Sequence, residues 1–129
     1  MTKPRKRSRR KTRMTLEDVR EVLDAEVIVG FNLSRIDVDA GCGADLMSDV
    51  LAFVKPGALL LTGLTNAQVV RTSDMAGIVG ICFVRGKTPI EEAKQLAASN
   101  NVPLLATRLP MFEACGRLYG KGLRGYAEP

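Results

Sequence analysis

The chain has 129 residues, 46% of them hydrophobic and 26% charged, with a formal net charge of +5; this describes one ordinary globular domain that can bury its own core, with no room for a second. Histidine is absent, which excludes Ser-His-Asp and Cys-His nucleophile arrangements and every His-containing metal site. Trp is absent too and aromatic residues make up 5%, which argues against a base-stacking nucleic-acid platform.

Residues 1–13 hold eight of the 19 basic residues and no acid, so residues 14–129 carry eleven basic and fourteen acidic residues and a net charge of −3. A like-charged block with nothing apolar to bury reads as a disordered tail, followed by an α/β domain over 14–129. Its functional reading is phosphate binding to RNA, DNA or an anionic membrane surface. Its structural reading is a solvated extension, or a start set too far upstream. We prefer the second, because Met14 directly precedes the helix-start pattern Thr15-Leu16-Glu17-Asp18. Ser8-Arg9-Arg10 is followed by Lys11-Thr12-Arg13 rather than an apolar run, so no export signal is read. No window approaches eighteen uncharged apolar residues. Cys42, Cys82 and Cys115 are odd in number and far apart, neither a disulfide framework nor a metal knuckle. The expectation is a cytoplasmic protein with reduced thiols.

In chain order, Thr15 and Asp18 open a short helix with Leu16, Val19 and Leu23 on one face. Glu26–Val29 reads as a strand stopped by Gly30, and Arg35–Val38 as a half-exposed second one. Gly41–Ala44 reads as a loop feeding a helix over Asp45–Val54, with apolar Leu46, Met47, Val50, Leu51 and Val54, ended by Lys55-Pro56-Gly57. Three strand–helix units follow. Ala58–Thr62, Ile78–Val84 and Val102–Ala106 are apolar throughout, as strands covered on both faces should be. The first precedes a helix capped by Thr65 with Gln68 and running to about Met75. The second precedes one with Thr88 as N-cap, Pro89 at N1 and Glu91 at N3, burying Ile90, Ala93, Leu96 and Ala97. The third leads to a helix over about Met111–Tyr119. This alternation predicts a mostly parallel sheet with helices on its faces, in a single compact α/β domain.

Gly86-Lys87-Thr88 has the end of a phosphate-binding P-loop, but Ile81 stands where its first glycine belongs. Gly41-x-Gly43 lacks the third glycine of a dinucleotide fingerprint. Asp45, Ser48 and Asp49 could hold a metal or act as acid and base; as first-turn acids they more simply complement a helix dipole. No metal is therefore assigned, an iron–sulfur site from three scattered cysteines is discounted, and no cofactor is identified. The residues that survive are positional, because ligands of open parallel sheets bind beyond the strands' carboxyl ends. Thr62, Gly63, Thr65 and Asn66 follow one strand, Arg85, Gly86 and Lys87 the next, and Thr107 with Arg108 the third. If the strands are neighbours, these groups converge on an anionic ligand such as a nucleotide or phosphorylated metabolite. In the alternative, Thr65 and Thr88 merely cap helices and the cations are solvated.

Asp45–Val50, Leu59–Asn66, Val84–Lys87, Pro103–Thr107 and Phe112–Tyr119 together resemble a DRTGG-domain protein of the small stand-alone type encoded beside iron-only hydrogenases and serine-kinase-like regulators. The resemblance covers Met14 to Leu123. It extends to the N-terminal domain of HPr kinase/phosphorylase and to a middle segment of long phosphate acetyltransferases. At the name-giving positions this chain has Gly63-Leu64-Thr65 and Val84-Arg85-Gly86. The family implies an accessory α/β module rather than a catalytic unit. The sequence reading is thus a non-catalytic regulator near redox or hydrogenase metabolism, binding an anionic small molecule or a protein partner. Self-association stays open, and no membrane is involved. Two alternatives stand beside it: a small enzyme acting on a phosphorylated or nucleotide substrate at the same strand ends, and an RNA-associated protein working through the tail. The enzyme lacks a nucleophile–base pair.

Overall fold

Thr15 begins the first helix as its spacing predicts. Its hydroxyl accepts the Asp18 N–H at 3.2 Å and the Asp18 carboxylate accepts the Thr15 N–H at 2.9 Å, a complete capping box. The computed structural model describes residues 13–30 and 32–126; the basic run over 1–12 lies outside them. In chain order the elements are β1 (Met14–Thr15), α1 (Leu16–Val22), β2 (Glu26–Val29), β3 (Asp37–Val38), β4 (Ala40–Gly43), α2 (Met47–Phe53) and β5 (Ala58–Thr62). Then come α3 (Ala67–Ala76), β6 (Gly80–Phe83), α4 (Glu91–Asn100), β7 (Leu104–Ala106) and α5 (Met111–Gly120).

The main sheet runs β2-β7-β6-β5-β4, antiparallel at β2–β7 and parallel elsewhere. Strand alternation divides the core in two. Leu59, Leu61, Cys82, Val84 and Leu105 face α1 and α5, while Leu60, Ile81, Phe83 and Leu104 face α2, α3 and α4. This is the mostly parallel α/β sheet, covered on both faces, that the apolar runs predict. A separate two-stranded ribbon pairs β1 with β3 and brings Met14 and Val38 into the α1 side of the core.

Several local expectations are corrected. Gly41–Gly43 is not a loop but the edge strand β4. Its glycines serve close packing: a Cβ at Gly41 would lie 2.9 Å from Leu123 Cδ2, and one at Gly43 3.0 Å from Met111 Sδ. Residues 123–126 then follow the outer edge of β4, with the Gly41 N–H donated to the Arg124 carbonyl (2.9 Å) and the Tyr126 hydroxyl to the Pro56 carbonyl (3.0 Å). Such cover protects an edge strand from stray pairing. Arg35 belongs to a 3-10 turn (Leu33–Arg35) rather than to a strand. Helix α2 starts at Met47, later than Asp45; it buries Val50 and leaves Leu46 and Leu51 exposed. The α3 cap is Asn66, which accepts the Val69 N–H at 3.2 Å, in place of Thr65. Helix α4 starts at Glu91 behind an extended Ile90, so Thr88 and Pro89 precede it. There the Ile90 N–H is donated to the Thr65 carbonyl (3.0 Å), a tertiary bond that holds the segment out of the helix. Ile90 consequently faces solvent rather than the core.

Candidate functional site at the carboxyl edge of the sheet

Strands β5, β6 and β7 are parallel neighbours, so the three loops singled out in the sequence lie side by side at one edge. The helix after β6 packs on one face of the sheet and the helix after β7 on the other, as Ala93 and Ala97 fall in one core and Ala114 and Leu118 in the other. The junction between β6 and β7 is therefore a switch point, where chains leaving adjacent strands diverge and ligand crevices form in open sheets.

Two left-handed residues in succession, Arg85 (φ 59°) and Gly86 (φ 71°), make the turn after β6. Glycine adopts this conformation freely; arginine does so only when its surroundings impose it. The neighbouring loop imposes it here. The Arg85 N–H is donated to the Leu109 carbonyl (2.8 Å), the Gly86 N–H to the Thr107 carbonyl (2.9 Å) and the Lys87 N–H to the Val84 carbonyl (3.2 Å). The three amides are thus committed within the protein, unlike those of a P-loop cradle. What faces solvent is side chain: Arg85, Lys87 and Arg108 are exposed, and none enters an ion pair among the described residues.

Thr62 and Thr107, the two buried threonines at strand ends, play matching parts. Each hydroxyl accepts the N–H two residues on, from Leu64 and Leu109, both at 3.2 Å. The Thr107 hydroxyl is donated to the Leu23 carbonyl (2.8 Å) and the Thr62 hydroxyl to the Asp45 carboxylate (2.9 Å). Asp45 Oδ1 also accepts the Gly63 N–H at 2.8 Å, so an internal carboxylate occupies the position an oxyanion would take at this turn. That role of Asp45 is absent from the sequence reading; the only signal for it is an acid just beyond β4. Thr65 is half-buried and bonded through its carbonyl to Ile90, and Asn66 caps α3. The eight positions therefore form two groups: Thr62 and Gly63 bonded to Asp45, with Thr65 and Asn66 next along the same loop, and Arg85 and Gly86 bonded to the loop of Thr107, with Lys87 closing their turn on Val84.

Burial pushes the Cys82 thiol up to about 12. Cys42 and Cys115 are both half-buried. Burial raises Cys42 most, followed by the nearby Cys115 and Asp49, and burial raises Cys115. At neutral pH all three are thiols, poor as nucleophiles or ligands. Among the described residues no three Cys, Asp or Glu side chains gather as a metal site requires, and no helix is long and apolar enough to cross a membrane. A largely apolar cavity of about 330 Å³, lined in part by Val29, Ile36, Val102 and Pro103, lies at the opposite end of β7 from these loops.

No family model matches the sequence, and no curated protein matches it. Among solved structures, the chain is similar to the CBS and DRTGG domains of the regulatory region of Clostridium perfringens pyrophosphatase, complexed with the activator diadenosine tetraphosphate. The match has a TM-score of 0.69 at 22% identity over 85% of this chain. It covers 47% of the other, so the chain spans about half the length of that structure. The fold of this protein is DRTGG-like.

Proposed function

We propose that the protein is a non-catalytic regulatory domain that binds an anionic small molecule, a nucleotide or phosphorylated metabolite, between β6 and β7. The observation that carries this reading is the Arg85-Gly86 turn. A left-handed non-glycine residue costs on the order of 1 kcal/mol, and the cost here sets the backbone that carries two cations, Arg85 and Lys87, beyond the ends of two parallel strands whose outgoing chains diverge. Their side chains, with Arg108 beside them and Thr65 and Asn66 on the next loop, meet the anion. Gly86 lets it approach, Thr62 and Thr107 brace the turns from beneath, and Gly63 holds the Asp45 carboxylate that fills the neighbouring turn. The pyrophosphatase regulatory region takes a polyphosphorylated nucleotide as activator, a ligand of the charge this edge would accept. The engaged Thr62 and Thr107 hydroxyls, the protonated thiols and the lack of histidine leave no nucleophile–base pair at this edge among the described residues, which favours sensing over catalysis. The resemblance to HPr kinase/phosphorylase and to hydrogenase-associated proteins extends the proposal to a cytoplasmic regulator of redox metabolism.

A thermal-shift screen with ATP, diadenosine tetraphosphate, sugar phosphates and pyrophosphate tests it. A binder at about 100 times its Kd adds about 2.7 kcal/mol of stability. Arg85→Ala and Lys87→Ala should each remove about 1.5–3 kcal/mol of binding while the apo protein keeps its melting temperature. Binding that ignores both substitutions, or no stabilisation by any anion, overturns the reading.

A further inference from the structure

Asp45 follows the edge strand β4 and sets its carboxylate over the end of β5. One oxygen is committed internally: Oδ1 accepts the Thr62 hydroxyl at 2.9 Å and the Gly63 N–H at 2.8 Å. The other, Oδ2, accepts no hydrogen bond among the described residues, and Asp45 is exposed. Cations stand on the adjoining loop without pairing to it. Gly63 and Arg85 follow β5 and β6, in which Thr62 is the register partner of Phe83, and neighbouring strands lie about 5 Å apart. Yet neither Arg85 nor Lys87 forms an ion pair with Asp45. Each group is anchored by its own contacts, the carboxylate by Thr62 and Gly63 and the Arg85 turn by the Leu109 and Thr107 carbonyls. The edge therefore presents two cations and, on the loop of the next strand, a fixed acceptor with one oxygen to spare.

We propose that Asp45 Oδ2 accepts a hydrogen bond from a sugar hydroxyl of the ligand. The site then takes a phosphate ester of a sugar, free or within a nucleotide, in preference to a bare anion. This rests on the anion site between β6 and β7 proposed above. Charge sorts the ligand along the edge. An anionic group at the β5 end would meet Asp45 and be repelled, whereas at the β6 end it meets Arg85 and Lys87. What Asp45 accepts must be a donor, and an ammonium there would be opposed by the two cations. A neutral hydroxyl remains. The hydroxyls of a sugar phosphate lie a few bonds from phosphorus, which matches the reach from one strand end to the next. Pyrophosphate puts a second anion where the donor is needed. An acceptor already held by two bonds loses little freedom on binding. A ligand without the hydroxyl leaves the covered carboxylate oxygen unpaired, which is where discrimination is large.

Isothermal titration of the full chain with ATP, dideoxy-ATP, ribose phosphate and pyrophosphate tests the proposal. ATP and dideoxy-ATP carry the same charge and differ only in the ribose hydroxyls, so the wild type should bind ATP about tenfold more tightly. Asp45→Asn keeps one oxygen for Thr62 and Gly63 and replaces the other with a donor. It should keep the apo melting temperature and weaken ATP and ribose phosphate about tenfold. Dideoxy-ATP and pyrophosphate should bind it at least as tightly as they bind the wild type. Ribose phosphate bound as tightly as ATP identifies a free sugar phosphate, and tighter ATP a nucleotide; either supports the contact. The failures are separable. If no probe binds, or Arg85→Ala and Lys87→Ala change no affinity, the anion site falls and the sugar contact with it. If those two variants weaken binding but Asp45→Asn acts alike on probes with and without the hydroxyls, the sugar contact alone is overturned. A wild type that binds ATP and dideoxy-ATP equally overturns it too.

Discussion

Thr62 and Thr107 show what a residue can conceal when read alone. In the sequence each is a polar group at the end of an apolar run, and so a candidate for ligand contact. In the fold each hydroxyl is both donor and acceptor within the protein, which removes the cost of burying it. Cys82 carries a consequence of burial that can be measured. Its thiol titrates at about 12 in the folded protein against an ordinary 9.0, so above pH 9 the unfolded chain loses this proton first. Stability from this group is therefore intact below about pH 9 and declines towards pH 12, by about 1.4 kcal/mol per pH unit in that window. The wild-type urea midpoint, measured under reducing conditions, should fall more between pH 8 and pH 10 than that of Cys82→Ala. Equal falls would show that Cys82 contributes no such linkage.

At the level of elements, helix starts divide into those fixed locally and those fixed by neighbours. The α1 capping box is closed by residues three apart and was legible. For α3 the cap falls on Asn66, one residue later than the Thr65-x-x-Gln68 pattern predicts, because the Thr65 carbonyl is bonded to Ile90 of the next loop. Asn66→Ala should accordingly cost about 1 kcal/mol, and Thr65→Val clearly less. Chemical denaturation of the two variants decides this; a larger loss at Thr65 would return the cap to it. The same neighbour effect delays α4 past Thr88-Pro89. Strand β4 was missed because four residues, two of them glycine, carry no alternating pattern. It is a strand only because β5 offers it a partner and α5 and Leu123 need glycine beneath them.

At the scale of the whole molecule, the basic run and the domain meet at Arg13, whose guanidinium pairs with Asp37 at 2.9 Å with both side chains about half exposed. Met14, by contrast, is buried. A chain beginning at Met14 should therefore melt cooperatively, losing at most the ~0.2–1 kcal/mol of an exposed ion pair. A broadened transition on calorimetry would mean that residues 1–13 support the core. By itself the sequence determined the α/β class, the three buried parallel strands, their helices and the edge where their loops gather. Those follow from apolar runs of strand length alternating with amphipathic segments, information held within ten or so residues. Only the tertiary structure decided that β4 pairs, that α4 and α5 take opposite faces, that Asp45 fills the first turn and that Arg85 is forced left-handed. Each of these depends on contacts between segments well separated along the chain, which local periodicity cannot encode.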